Sequence, residues 1–328
     1  MRRSFLLPTL AAALSLAGGA AMAQAAWPTK PIRFVVPYPA GGGTDYVARL
    51  IGERLSKSLG QPVVVDNKSG AAGGIGVAEV AKAEADGHTV LVTINDPLVN
   101  NTALFKTLPY DPQKDFAFVA QIVRSPALIS ANPTLGVKSI DELRKLAQSG
   151  NKLSYASWGI GSLGHLLGET LNRELKAQMV HVPQRGEGPV VQDLLTNTVS
   201  VGLSSVGTAK QHVAGGKIVP LAVMGSENGQ RLSALPQVPT MKELGFNDPL
   251  YGSSVWMAAL VPSRTPPAVV QKLSSEIRAI ANAPDIRNLL IDRGFEMHVT
   301  TPEQATANYK AEFEIITKRI RELGIEPQ

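Results

Sequence analysis

The chain has 328 residues, 18% of them charged, a formal net charge of +5 and no cysteine. The missing cysteines exclude a disulfide framework, a cysteine-linked lipid anchor and any thiolate zinc site. The positive balance is small, and its lysines and arginines are interleaved with acids from Lys138 to Lys145 and from Lys310 to Arg321, which excludes a nucleic-acid-binding stripe.

Met1-Arg2-Arg3 precedes an apolar run from Phe5 to Ala20, followed by the small-residue patterns Ala21-Met22-Ala23 and Ala23-Gln24-Ala25. Together these predict a cleaved signal peptide over residues 1–25 and an exported, periplasmic protein. The run is too short and too rich in alanine to span a membrane, and no later stretch approaches the roughly 20 apolar residues a spanning helix needs. About 300 residues then remain, enough for two domains of ordinary size.

Ile32 to Pro37 predicts a buried strand. It runs through Tyr38-Pro39-Ala40-Gly41-Gly42-Gly43 into a helix over Asp45 to Leu59, with Thr44 or Asp45 as the cap and Val47, Ile51, Leu55 and Leu59 on one stripe. Pro62 to Asp66 predicts a second strand and Gly70 to Gly74 a loop. A helix from Ile75 to Ala83 and a third strand from Val90 to Ile94, ending at Asn95-Asp96-Pro97, come next. Phe116 to Ala131 is long, extended and without helical period, as expected of a crossing between domains.

The strand, loop and helix theme then repeats. Leu153 to Ser157 leads into Gly159 to His165, Met179 to Pro183 into Gln184 to Pro189, Val199 to Ser205 into Gly207-Thr208, and Ile218 to Met224 follows. Ser254 to Val261 predicts a second crossing. Helices near Pro267 to Ala281, Asp285 to Arg293 and Pro302 to Leu323 close the chain, with a strand at Glu296 to Thr300. Strands alternating with amphipathic helices make the class α/β, and two crossings imply a hinge and a cleft. The expected division is residues 26–125 with 251–328 as one discontinuous domain and 126–250 as the other.

Ligands of open parallel sheets sit beyond the carboxyl ends of strands, where helix N-termini converge. Gly41 to Thr44 is such a loop, and its glycines let an anion approach backbone N–H groups. It lacks the lysine of a phosphate-gripping loop, and Tyr46 stands where a dinucleotide fingerprint needs glycine, so a small carboxylate fits better than a nucleotide. Gly70 to Gly74, Gly159 to Ser162 and Gly186 to Gly188 are candidate partners, each also readable as a turn. Ser162 is placed to cap the next helix. His165 on its first turn either bonds its own loop, the commoner case, or meets a ligand. Arg185 is either a bidentate partner for a second carboxylate or a surface arginine. Asp45 is better suited to bracing the glycine loop, capping or meeting an ammonium than to facing an anion. Ile160 stands where a nucleophile elbow needs glycine, and the five histidines lack metal-ligand spacing, so neither catalysis nor a metal or other cofactor is expected.

Tyr38 to Asp45 with Ala48-Arg49, Leu59 to Asn67, Gly70 to Gly74, Asp86 to Thr89, Gly161-Ser162 with His165-Leu166, His181-Val182-Pro183, Asp193-Leu194-Leu195 and Val238-Pro239-Thr240 resemble the extracytoplasmic solute receptors of the tripartite tricarboxylate transporter family, also called Bug proteins. The resemblance implies a two-domain periplasmic binding protein, type II-like, with a hinge and an interdomain cleft. Such a protein, expected to be a monomer, closes on a small carboxylate, an organic acid or acidic amino acid, and presents it to integral-membrane permease subunits. The alternative with the same fold is a receptor that reports its ligand to a sensor kinase. Carried over, the resemblance places Tyr38, Ala40, Gly41, Gly42, Thr44 and Asp45 in one wall with Gly73 nearby. Ser157, Gly161, Ser162, His165, Arg185 and Gly186 form the other. Gln184 departs from the family, which usually has an aromatic residue there; the change replaces a flat apolar wall with an amide.

Overall fold

The computed structural model describes residues 27–224, 229–325 and 327, so the expected signal peptide lies outside the described residues. From the N-terminus, β1 (Ile32–Val36) runs into α1 (Gly43–Leu59), β2 (Val63–Asn67) into α2 (Gly74–Ala81), and β3 (Thr89–Ile94) into the short α3 (Asn101–Leu104). Two long strands follow, β4 (Phe116–Ser125) and β5 (Ala127–Ala131), and then α4 (Ile140–Gln148). The repeated units are β6 (Ser154–Ser157) with α5 (Leu163–Glu174), β7 (Val180–Pro183) with α6 (Glu187–Leu195), and β8 (Val201–Ser205) with α7 (Val206–Ala214). After β9 (Val219–Met224) come β10 (Val255–Pro262), α8 (Pro267–Asn282), α9 (Pro284–Asp292), β11 (Glu296–Met297) and α10 (Pro302–Glu322).

These strands build two sheets, ordered β11-β4-β10-β3-β1-β2 and β7-β6-β8-β5-β9. In the first, β1 is parallel to β2 and β3, while β10 lies antiparallel between β3 and β4. In the second, β6 is parallel to β7 and β8, and β5 is antiparallel to β8 and β9. Successive residues of β1 are buried on opposite faces, which fixes the layers. The apolar stripe of α1, Val47, Ala48, Ile51 and Leu55, packs with Ile32, Phe34 and Val36 of β1 in one core. A second core runs continuously from Val35 and Leu91 of the first sheet, through Leu98, Val99 and Leu104, to Tyr155, Leu167 and Leu203 of the second.

The extended segment from Phe116 to Ala131 does carry the chain from one sheet to the other, and it breaks at Pro126. Proline has no N–H for either ladder, and its carbonyl accepts instead from the Val206 amide at 3.1 Å. The second expected crossing is corrected. Ser254 to Val261 does not bridge the sheets; it forms most of β10, wholly within the first one. Val255 pairs with Ser125, so the two connections between sheets run side by side. The strand expected from Glu296 to Thr300 shrinks to two residues; the His298 and Thr300 amides still reach the β4 carbonyls of Ile122 and Gln121, but the Gln121 amide turns to the Thr300 hydroxyl instead of a backbone carbonyl.

Candidate ligand-binding site

The loop after β3 meets the loop after β6 through Asp96 with Trp158 and Asn100 with Gly161, and the loops beyond the strand ends supply two candidate walls. The first wall is the glycine loop before α1. Its helix begins at Gly43, two residues earlier than expected, and neither Thr44 nor Asp45 caps it: the N-cap is Gly42, with no side-chain bond. Tyr46 is the first amide of this turn to find a backbone acceptor, the Gly42 carbonyl at 2.9 Å. The Gly41 amide turns back to Asp45, and the amides between it and Tyr46, beside exposed Gly42 and Gly43, remain to attract an anion.

Asp45 latches this loop. Its buried carboxylate accepts from the Gly41 amide at 2.9 Å, from Arg49 Nε at 3.0 Å and from Asn67 Nδ2 at 3.0 Å. Burial opposes its ionisation, but the bonds from Arg49, Gly41 and Asn67 outweigh that and hold the carboxyl below its usual range. Gly41 adopts φ +85°, which glycine tolerates far better than other residues. Ala40 is exposed and Thr44 buried. The Tyr38 hydroxyl is buried and completes no well-formed hydrogen bond, although the Thr93 side chain lies near it; burial pushes its pKa well up. Gly73, at φ +88°, packs beside Tyr38, where a Cβ would lie 3.3 Å from that hydroxyl.

In the second wall Ser162 is the N-cap of α5, accepting from the His165 amide at 3.2 Å and donating to the Gly159 carbonyl at 2.7 Å. His165 Nδ1 accepts from the Gly161 amide at 3.0 Å, so the neutral ring carries its proton on Nε2. Its ring stacks on His181 with centroids 4.0 Å apart, and His181 stacks in turn on Tyr155 at 4.8 Å. Ser157 is buried and shares a hydrogen bond with His181 Nε2 at 2.8 Å. Burial lowers the pKa of both imidazoles, that of His181 to about 4, with His165 as its second cause. Gly186 is the N-cap of α6, with φ +114° and no side-chain bond. Arg185 is exposed and pairs with no carboxylate among the described residues. Gln184 turns its amide to the Asp193 carboxylate.

Three residues that sequence reasoning passed over join the walls. Asn100 Nδ2 donates to the Gly161 carbonyl at 2.8 Å. Trp158 Nε1 donates to Asp96 Oδ2 at 3.4 Å, and the Leu163 amide lies near the same carboxylate without completing a well-formed hydrogen bond. Burial pushes the Asp96 carboxyl up to about 7, against the opposing effects of the Trp158 indole and the Leu163 amide. The signal was present: Asn95-Asp96-Pro97 lies at a strand end, where ligand loops are expected. A groove of about 1030 Å³ between α8 and α10, lined by Phe116, Val270 and Tyr309, shares no residue with either wall.

Residues 47–324 match the model of the tripartite tricarboxylate transporter family receptor. The chain is 32% identical to the BugT protein of Bordetella pertussis over 99% of the latter's length and 99% of its own. An R. palustris protein solved with adipate superposes with a TM-score of 0.84 at 32% identity, covering 92% of this chain and 100% of the other. MatC from Rhodopseudomonas palustris, solved with bound malate, does so with a TM-score of 0.78 at 31% identity, covering 89% and 99%. A family model spanning most of the chain, and relatives at this identity over their full length, place the sequence without ambiguity: this chain belongs to the receptor family of the tripartite tricarboxylate transporters.

Proposed function

We propose that this chain is a periplasmic receptor that captures a small carboxylate between its two walls and delivers it to the membrane subunits of a tripartite transporter. The observation that carries the reading is the start of α1, a glycine N-cap without a side-chain bond, fronted by exposed glycines and latched from behind by Asp45. Such a terminus offers several N–H groups and a favourable dipole to one carboxylate. The relatives solved with adipate and malate support a dissolved organic acid as the cargo.

The units that close are residues 26–125 with 251–328 and residues 126–250, hinged where Pro126 and Ser254 lie side by side. Ligand contacts come from Tyr38, Ala40, Gly41, Gly42 and Thr44 on one wall, with Gly73 behind. Across from them are Gly161, Ser162, Arg185 and Gly186, with Ser157 and His165 holding that wall in shape. Contacts from both units give the closed form its energetic advantage.

The test is uptake of a radiolabelled acid, one that binds the purified protein, by cells lacking this gene. Loss of uptake, restored by the intact gene, is expected. Unchanged uptake with a lost transcriptional response to the acid would assign the protein to sensing instead.

A further inference from the structure

The two helix N-termini that face the cleft are not equivalent. At α1 no side chain occupies the terminus. At α5 the chain supplies a carboxyl of its own: Asp96, from the loop after β3 in the opposite wall, lies near the Leu163 amide and against the Trp158 indole, and Asn100 Nδ2 reaches its other oxygen at 3.3 Å. The charged groups that face Asp96 from neighbouring elements are both acidic, Glu187 on α6 and Glu312 on α10. Tyr38, facing it from the β1 loop, is neutral. Arg185, the cation of the second wall, is exposed and takes no part in this cluster. Two polar atoms near Asp96 lack a formed bond, Asn100 Oδ1, in a residue only 1% exposed, and the Tyr38 hydroxyl.

We propose that Asp96 fixes the ligand class of this site: the ligand presents one carboxylate to the N-terminus of α1, and its far end carries a hydrogen-bond donor, an amide, hydroxyl or ammonium, in place of a second carboxylate. The inference rests on the carboxylate-binding reading above and narrows it. A second carboxylate at the α5 end would meet Asp96 with no neutralising cation beside it, and like charges juxtaposed in an enclosed site are strongly disfavoured. A donor there would instead bond to the Asp96 carboxylate and to Asn100 Oδ1, a charge-assisted pairing.

The test is calorimetric titration of the mature protein, refolded to remove carried-over ligand, at about pH 8, above the carboxylate range. Succinate, glutarate and adipate are compared with their monoamides and with the matching ω-amino acids. At the best-fitting length the monoamide or amino acid is expected to bind more than about tenfold tighter than the diacid. Asp96→Asn is expected to erase or reverse that preference, and Asp96→Ser serves if the asparagine variant does not melt cooperatively. A diacid that binds the unmodified protein more tightly than its monoamide, or a preference unchanged in the variants, overturns the proposal. Absence of binding by every acid tested, to a protein that melts cooperatively, overturns the carboxylate reading as well.

Discussion

Asn100 Nδ2 donates to the carbonyl oxygen of Gly161 at 2.8 Å, and this bond, together with that from Trp158 to Asp96, fastens the loop before α3 to the loop before α5. Asn100 is 1% exposed. Replacing it with alanine leaves the Gly161 carbonyl without its partner only when the walls are together, so the closed form suffers more than the open one. Asn100→Ala is expected to weaken ligand binding by about 0.5–1.5 kcal/mol, roughly 2- to 12-fold, the usual net value of such a bond. Titration of the variant checks this, and an unchanged affinity would remove Asn100 from the closing contacts.

Gly161 has a second duty at the same junction. Its φ is +72°, and a Cβ there would overlap Leu104 Cδ1. Gly161→Ala is expected to cost about 1–2 kcal/mol from backbone strain alone, and the overlap adds to it by forcing the walls apart. Adding Leu104→Ala removes the overlap but not the strain. The double variant should therefore regain binding relative to Gly161→Ala while its melting temperature stays below that of the unmodified protein.

Asp45 gathers donors from Gly41, Arg49 and Asn67. Hydrogen bonds to a charged group contribute about 1.5–3 kcal/mol each, but Arg49 is exposed and regains water when its partner is lost. Asp45→Ala is therefore expected to lower stability by only about 1–3 kcal/mol while freeing the glycine loop. The larger effect should be on binding, with affinity falling more than tenfold. A variant that binds normally would show that the latch is not needed to shape the first wall.

The stacked pair His165 and His181 should govern acid sensitivity. An imidazole kept neutral in the folded state has a depressed pKa, so its contribution is full above the ordinary value of 6.5 and is lost as pH falls toward about 4 for His181. Asp96 and Glu312, both raised to about 7, act with the opposite sign: their burial costs stability above about 7, and the cost is relieved as pH falls. The slopes oppose each other in the unmodified protein. His181→Phe keeps a ring on Tyr155 and removes one of them, so the variant should gain stability relative to its parent as pH is lowered from 6.5 toward 4. Paired thermal melts across that range test it, and parallel profiles would contradict it.

Much of this architecture was legible because it is local. An apolar run followed by Gly41-Gly42-Gly43 predicts a strand, an anion loop and a helix without tertiary information, and β1 and α1 are there. The helix start was misjudged because an Ncap is usually sought in a side chain, whereas Gly42 caps with its backbone alone. Ser254 to Val261 looked like a crossing because it is apolar and extended; that it lies between β3 and β4 depends on pairing with residues more than 100 positions away. Asp96 was passed over because Asn-Asp-Pro reads locally as a turn, and its partner Trp158 is 62 residues further along. His165 shows both sides: bonding its own loop was foreseeable from its place on the first turn, but the stack on His181 was not.

The most direct test of the clamp is the melting temperature of the refolded mature protein against a panel of mono- and dicarboxylates, each paired with its fully amidated analogue. A ligand at about 100 times its dissociation constant adds roughly 2.7 kcal/mol to the folded state. Stabilisation by at least one acid that vanishes when every carboxylate is amidated is the predicted result. Equal stabilisation by an acid and its fully amidated analogue, or none by any acid on the panel, would contradict the account.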